Sequence, residues 1–416
     1  MFSPAEALRK QQRTTQALGL ASTLLIGLNL RPAITSVAAT LTQAQLALEL
    51  SSLEATVLAT LPVIAFGLSA PIGPWLTRRF SVSWVLFGSM CALTVGLILR
   101  VLWLPLLFPG TLLAAMAIMA GGTLLPQFLK SLNASGLWVG LSSMTFGVGA
   151  ALGAGFVSPL YVAAGDRIDV AWGMWALLAA LAAVPLLLGI LRMRAAGGES
   201  RVQRIPLVYS RASSVTMALL TLVFGVQALL YFAMTSWMPL LVDERGYSVA
   251  ETGSLLAWFS IAGFVPTLLT PILARKKAIL LWLGPGLGVA IAAGMVWLLI
   301  APDEQVFSAV AALGAVQTAA FGLAISLIVT MSTNPSTVGV VSAVSQGAGY
   351  IVAGAGSLGL GLLHTITGSW TPSFLVMSAL GIVLSLIIAV TIRRQSVDLV
   401  SAPRLQPDRV APLGAI

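Results

Sequence analysis

The amino-acid sequence predicts an all-α integral membrane protein with twelve transmembrane helices in two pseudo-symmetric six-helix bundles. Three observations predict this fold. First, the 416 residues are 58% hydrophobic and only 8% charged, with a mean hydropathy of +0.98, whereas about 25% of the residues in a soluble domain are charged. Second, the chain contains twelve apolar runs near the length of about 20 residues that a spanning helix needs. Third, the two halves of the chain carry related motifs.

Short polar or Gly/Pro-containing breaks separate the apolar runs. The predicted spans are 15–39, 52–76, 82–101, 104–127, 137–163, 170–191, 213–241, 250–274, 278–300, 305–331, 337–363 and 371–392. Their length favours helices over a β-barrel, whose strands alternate over about ten residues. Proline within a span tends to break a helix where it borders a cavity. We expect such breaks at Pro62, Pro126, Pro239 and Pro266.

The distribution of positive charge predicts the orientation. With a cytoplasmic N-terminus, all but four of the 22 Lys and Arg residues fall on the cytoplasmic side. The exceptions are Arg100, Arg167 and Arg245 on the outer side and Arg31 within the membrane. This bias follows the positive-inside rule, so the net charge of +9 indicates topology rather than nucleic-acid binding. We expect a bacterial inner (plasma) membrane protein with both termini in the cytoplasm.

The middle of the chain contains a polar, Arg-rich segment that divides it in two. The predicted units are an N-terminal bundle at 1–191, a cytoplasmic linker at 192–212, a C-terminal bundle at 213–394 and a cytoplasmic tail at 395–416. At an offset of 197 positions, Glu54 matches Glu251 and Arg78 matches Arg275. Parallel repeats of this kind are typical of secondary transporters of the major facilitator type, with the substrate site at the midplane between the halves.

Motifs in three spans resemble those of a known family. They are Asn29 to Ser36 in the first span, Phe224 to Gln227 with Tyr231 in the seventh, and Gln346 with Gly349-Tyr350 in the eleventh. These stretches resemble the cyanate permease / 2-nitroimidazole transporter family of the major facilitator superfamily. The resemblance implies a transporter fold and a small, polar or anionic solute. The sequence departs from the family pattern at Gly122 and Ser142, where asparagine and tyrosine are common.

Arg31 places a guanidinium inside the first long apolar run. An Arg at the centre of a span costs about 2.5 kcal/mol or several times more, and such residues are functional candidates by default. Its planar set of donors matches carboxylate, nitro or linear-anion acceptors. We expect Arg31 to hold the substrate, with Thr35 on the same helical face. The alternative is a structural Arg bound to carbonyls or a carboxylate, although no Asp or Glu lies near the middle of a predicted span.

The C-terminal half offers polar partners for such a substrate. Two Gln/Tyr pairs are each four residues apart and therefore share a helical face. The candidate binding residues beside Arg31 and Thr35 are Gln227, Tyr231, Gln346 and Tyr350, with Asn29 and Gln317 as weaker polar additions and Phe146 and Trp258 as apolar walls. Interhelical hydrogen bonding is the alternative role for the polar side chains.

These features predict a secondary transporter that moves a small anionic or nitro-bearing organic solute by alternating access. A multidrug-type efflux carrier is the alternative, favoured by a wide aromatic cavity. A membrane-embedded enzyme would need clusters of nucleophiles, acids or metal ligands, and the chain has one His (His364) and one Cys (Cys91). We therefore expect no catalytic residues, metal or cofactor, and a monomer whose partners are the lipid bilayer and the solute. Without intramembrane carboxylates, we expect proton coupling through the solute itself, or else facilitated diffusion or exchange.

Overall fold

The computed structural model describes residues 4–195, 210–247 and 249–398. The helices of the N-terminal half are α1 Pro4–Asn29, α2 Pro32–Ala39, α3 Leu41–Ala47, α4 Ser52–Ser69, α5 Ile72–Thr77, α6 Val82–Leu102, α7 Leu107–Ser131, α8 Gly136–Ala163 and α9 Ile168–Ala195. Those of the C-terminal half are α10 Arg211–Asp243, α11 Val249–Ala262, α12 Phe264–Leu273, α13 Lys277–Ile300, α14 Asp303–Thr330, α15 Pro335–Thr367 and α16 Thr371–Thr391. Most of the predicted linker, 196–209, and of the tail, 399–416, lies outside the described residues.

The described helices confirm the predicted fold class. Eleven of them, counting α1 with α2 and α11 with α12 as single spans, are long and apolar enough to cross a membrane. The remaining predicted span is present as α4 followed by α5. The short helix α3 and a 3₁₀ turn at Leu104–Leu106 connect spans.

Three spans are broken, and most of the breaks lie away from the expected prolines. The breaks are at Leu30–Arg31, Ala70–Pro71 and Gly263. Pro62, Pro126 and Pro239 instead lie inside continuous helices, so the expectation of breaks there was wrong. Neighbouring helices and local adjustments can satisfy the backbone groups that a proline frees. Of these four prolines, only Pro266 lies close to an observed break, three residues after Gly263.

The ends of the helices form two surfaces of opposite charge. We call one the basic end, where Arg78, Lys130, Arg275 and Lys277 lie, and the other the acidic end, where Glu54, Asp169, Asp243 and Asp303 lie. The N-terminal half contacts the C-terminal half mainly where α8 packs on α12, and where α7 and α4 pack on α15.

The two halves approach each other closely toward the basic end. The backbone of Gly140 on α8 lies against the carbonyl oxygen of Leu268 on α12, where a Cβ atom would collide. Gly339 on α15 gives room in the same way to the side chain of Gln127 on α7. These contacts join the two halves at the basic end of the protein.

Arg100 differs from its sequence-based placement outside the membrane. It lies in the last turn of α6 but is only 4% exposed. Position along a span predicts the depth of a residue but not the face it occupies. The face that carries Arg100 turns into the N-terminal half, toward α2 and α9, where its guanidinium donates hydrogen bonds to the carbonyls of Ala33 and Trp172.

We predict that Gly140→Ala lowers the thermal unfolding midpoint relative to Gly155→Ala. Both residues lie on α8, but a Cβ at Gly155 meets only open space, so it is a matched control with the same gain in helix propensity. Overpacking of this kind costs about 1–3 kcal/mol. Unfolding scans of both variants in detergent test this, and equal midpoints would contradict the close approach of α8 to α12.

Candidate functional site

A cavity lies between the two halves, near the middle of the spans. It encloses about 710 Å³ of empty space, part of it open to solvent. The lining residues are Arg31, Ser143, Met144, Phe146, Gly147, Ala150, Phe224, Gln227, Ala228, Tyr231, Phe232, Ser260, Gly263, Phe264, Thr267, Thr318, Phe321 and Tyr350.

The break in the first span positions Arg31 at this cavity. Pro32 has no N–H and its ring would clash with the carbonyl of Leu28 in a continuous helix. The chain therefore leaves α1 at Asn29 and starts α2 with Pro32 at its first position and Arg31 as its N-cap residue. The Arg31 carbonyl accepts the N–H groups of Ile34 and Thr35, both at 3.0 Å, while the side chain borders the cavity.

Two glycines of α8 accommodate the break. Gly149 lies against the carbonyl of Leu28, which no longer has an N–H donor at Pro32, and Gly153 lies against the backbone of Pro32. A Cβ at either glycine would collide with these atoms. Since the glycines are four residues apart, they share one face of α8, and that face holds the start of α2 in place.

The Arg31 guanidinium contacts aromatic rings rather than hydrogen-bond acceptors. Its Cζ lies 4.4 Å from the ring centroid of Phe146 and 5.4 Å from that of Phe232, which is cation–π distance. Among the described residues it has no hydrogen-bond or ion-pair partner, and none of the cavity-lining residues is an Asp or Glu. The donors of Arg31 therefore remain free for a ligand.

One face of α10 supplies much of the opposite wall. Phe224, Gln227, Ala228 and Tyr231 follow the helical spacing i, i+3, i+4 and i+7 and line the cavity together. The Gln227 amide nitrogen donates to the carbonyl of Gln317 at 3.2 Å. The Gln227 amide oxygen has no partner in the described structure, so one end of this amide is also free.

Tyr350 of α15 completes the wall. Its ring meets Phe224 edge-on at 5.5 Å and Phe232 at 6.0 Å. In the part of the chain that the structure describes, neither the Tyr350 hydroxyl nor the Tyr231 hydroxyl has a hydrogen-bond partner. The cavity therefore combines one cation, one amide, two phenols and four aliphatic hydroxyls with five phenylalanine rings.

A stacked pair of rings separates this cavity from a second void. Phe146 of α8 and Phe321 of α14 come from opposite halves, with centroids 5.3 Å apart and planes at 25°. The second void lies between the same halves, and its lining includes Pro126, Ser142 and Gln346. Phe146, Phe321 and Tyr350 border both spaces.

The sequence profile of the Major Facilitator Superfamily matches residues 19–357. The chain belongs to the Major Facilitator Superfamily. In Escherichia coli, the 2-nitroimidazole transporter is 27% identical over 88% of this chain and 93% of its own. The E. coli cyanate transport protein CynX is 29% identical over 83% of this chain and 90% of its own. These similarities confirm the family resemblance of the motifs described above.

The fold of this superfamily member agrees with solved structures. The E. coli fucose:proton symporter FucP superposes with a TM-score of 0.70 over 91% of this chain and 99% of that chain, at 12% identity. That likeness shows the fold alone. Together with the named transporters among its relatives, it shows that the chain is a multi-pass secondary transporter for a small molecule and not an enzyme.

The transporter brings five of the ten candidate residues to the cavity. They are Arg31, Phe146, Gln227, Tyr231 and Tyr350. Gln346 lies at the second void, where its amide nitrogen donates to Ser342 Oγ at 2.7 Å and to the carbonyl of Gly122 at 3.2 Å. This bond to Gly122 joins the two halves of the chain.

The other four candidates lie outside the cavity. Asn29 is buried and donates to the carbonyls of Leu25, at 2.9 Å, and Leu178, at 3.1 Å. The Thr35 hydroxyl donates to the carbonyl of Arg31 at 3.2 Å.

Gln317 is fully buried behind Gln227. Trp258 is 44% exposed and packs edge-on against Phe307.

Several cavity residues were not predicted. Phe224 had a signal in the sequence, because it precedes Gln227 by three residues and therefore shares its face. Phe232 and Phe264 had no comparable signal. Gly263 and Thr267 line the cavity because α11 and α12 meet at a break there; Pro266 indicated a break in this span, but not that these two residues would face the cavity.

We predict that Asn29→Ala destabilises the protein through the lost contact between α1 and α9. The substitution removes the hydrogen bond from the Asn29 amide to the Leu178 carbonyl, which costs about 0.5–1.5 kcal/mol. Thr94→Ala is the control, because the Thr94 hydroxyl makes only a bond of 2.9 Å within α6, to the carbonyl of Met90. The thermal unfolding midpoints of the two variants test this prediction. Equal decreases of the midpoint in both variants would contradict the role assigned to Asn29.

Proposed function

We propose that this transporter moves a small anionic or nitro-bearing organic solute by alternating access. Arg31 binds the acceptor group of the solute at the midplane between the halves. Gln227, Tyr231 and Tyr350 complete the polar contacts, and Phe146 packs against the body of the solute. The proposal depends on one observation above all: the Arg31 guanidinium borders a cavity with its donors unpaired and no acidic residue in the lining.

Electrostatics favour an acceptor-bearing solute. A cation–π contact contributes about 0.5–2 kcal/mol, less than the desolvation of a guanidinium costs. A carboxylate or nitro group on the solute supplies the missing acceptors in a bidentate geometry. The names of the two E. coli relatives, a 2-nitroimidazole transporter and a cyanate transport protein, support this class of solute.

The aromatic lining favours an organic solute over a bare inorganic anion. Rings of Phe146, Phe224, Phe232, Phe321 and Tyr350 surround the guanidinium side of the cavity. Flat aromatic faces contact planar organic groups over a large area. We therefore place nitro-heterocycles and aromatic carboxylates ahead of small inorganic ions.

Alternating access requires the two halves to move against each other. We propose that residues 1–191 and 213–394 move as two bodies joined by the linker 192–212. The basic end is the cytoplasmic end by the positive-inside rule, with both termini on that side of a bacterial inner membrane. The contacts of Gly140 and Gly339 hold the halves together at the basic end, which supports an outward-facing state of a monomeric carrier.

The stacked rings of Phe146 and Phe321 form the inner gate in this proposal. They belong to opposite halves and lie between the cavity and the second void, which Gln346 borders. Separation of the halves at the basic end pulls the rings apart and joins the two spaces. The solute then leaves Arg31 toward the cytoplasmic side, or enters from it.

A multidrug-type efflux carrier is the second candidate. The aromatic side chains in the cavity wall favour this function, because aromatic walls can bind lipophilic compounds of different shapes. The unpaired guanidinium argues against cationic drugs. The solute screen described next separates the two functions.

We predict that Arg31→Ala abolishes stabilisation by acceptor-bearing solutes. A set of aromatic carboxylates and nitro-heterocycles is screened by thermal shift on the purified full-length protein. A ligand at 100 times its Kd adds about 2.7 kcal/mol to the stability of the wild type. The matched control is Arg167→Ala, which removes an exposed guanidinium paired with Asp169 at 2.6 Å.

The wild type and Arg167→Ala are expected to respond alike, and Arg31→Ala not at all. Equal stabilisation of Arg31→Ala and the wild type by every hit would contradict the role of Arg31. Hits confined to large lipophilic compounds, independent of Arg31, would favour the efflux carrier instead.

We predict that an imposed pH gradient does not drive uphill accumulation of a permanently charged solute in proteoliposomes. No Asp, Glu or His lines the cavity in the described residues, and His364, the single histidine of the chain, pairs with Glu244 at the acidic end. Counterflow of labelled against unlabelled solute is the positive control for transport. Strong gradient-driven accumulation would show that a proton-carrying group has been overlooked.

A further inference from the structure

Arg100 is a second cation inside the N-terminal half, and its guanidinium is only partly satisfied. Nη1 donates to the carbonyl of Ala33 at 2.8 Å and Nη2 to that of Trp172 at 3.2 Å. Nε has no partner in the described structure. The ion pairs found among the described residues are Arg167 with Asp169 and His364 with Glu244, so no carboxylate there balances the charge of Arg100.

A separate cavity borders this guanidinium. It lies between α2, α4, α6 and α7 and encloses about 400 Å³ of empty space, including its opening. Its walls are mainly apolar side chains such as Ile34, Val37 and Leu58. The one hydroxyl in the wall, that of Thr111, donates to the carbonyl of Leu107 at 2.7 Å. This cavity shares no lining residue with the one at Arg31.

We propose that the cavity beside Arg100 binds a small, weakly hydrated monovalent anion such as a halide or nitrate. Backbone carbonyls contribute only partial negative charge, so a buried guanidinium held by two of them is still an uncompensated cation. A monovalent anion in the cavity that Arg100 lines neutralises this charge. The apolar walls exclude sulfate or phosphate, whose hydration those walls do not replace.

The same bonds connect this anion site to the start of α2. Ala33, whose carbonyl Arg100 holds, lies two residues after Arg31, and Ile34 is in the wall of the Arg100 cavity. An anion that fixes the Arg100 guanidinium therefore also fixes α2, whose N-cap residue is Arg31. The anion site does not depend on which solute binds at Arg31.

In the simplest competing account, Arg100 has only a structural role, in which it connects neighbouring helices. Its two carbonyl bonds join α6 to α2 and to α9, and water alone occupies the cavity. Under that account, halides have no effect on the protein beyond ionic strength.

Bromide distinguishes the two accounts. The full-length protein is crystallised in sodium bromide, and the anomalous signal of bromine is measured. We expect a peak in contact with the Arg100 guanidinium, within the cavity lined by Ile34 and Thr111. A map with no anomalous peak there, or with a peak at Arg31 alone, would overturn the proposal.

Thermal unfolding provides the second measurement. Arg31→Gln removes the other intramembrane cation, and its midpoint is expected to rise saturably with sodium chloride relative to sodium gluconate at equal ionic strength. Arg31→Gln combined with Arg100→Gln is expected to lose that rise. If the double variant does not fold, the halide dependence of Arg31→Gln and the bromide peak decide. Equal midpoints of Arg31→Gln in the two salts would also overturn the proposal.

Discussion

The candidate site depends on one guanidinium that has no hydrogen-bond acceptor among the described residues. Pro32 breaks the first span directly after Arg31, so the side chain leaves the helix at the level of the cavity rather than along a continuous helical face. The rings of Phe146 and Phe232 contact the guanidinium at cation–π distance but offer no lone pairs. The hydrogen-bond donors of the guanidinium therefore stay available for a ligand at the centre of the folded protein. This is expected of a binding residue, whereas a structural Arg would donate these hydrogen bonds to the protein itself.

Helix α8 connects this guanidinium to the contact between the halves. Gly149 and Gly153 hold the break in the first span, Phe146 lies under the guanidinium and against Phe321, and Gly140 packs on the C-terminal half near the basic end. Gly140, Phe146, Gly149 and Gly153 all lie on this one helix. In the proposed mechanism, a displacement of α8 therefore changes the binding geometry, the ring stack and the contact at the basic end together.

The sequence predicted the fold, and five of its ten candidate residues line the cavity, because both results depend on strong local patterns. Span length, charge bias and the i, i+4 pairs located the helices and placed Arg31, Gln227, Tyr231 and Tyr350 at the cavity. Arg100 was misplaced because position along a span gives depth and not direction. The sequence left two roles open for the Asn29 amide, because a polar group in a span can bind a ligand or a carbonyl of a neighbouring helix. The structure distinguishes the two roles, since it places the Leu178 carbonyl of α9 within hydrogen-bond distance of this amide. The break at Gly263 lies three residues before Pro266, whose ring does not fit after the carbonyl of Ala262 in a continuous helix, and it is the only one of the four expected breaks that the described residues show.

A structure of the protein with an acceptor-bearing aromatic solute tests the central claim most directly. Cryo-electron microscopy of the complex with the most strongly stabilising carboxylate or nitro-heterocycle supplies it. The account predicts that an oxygen of the solute lies within about 3 Å of the Arg31 guanidinium, with the solute ring against Phe146. A solute bound elsewhere, with Arg31 hydrogen-bonded to carbonyls of the protein itself, would contradict the account and make Arg31 a structural residue.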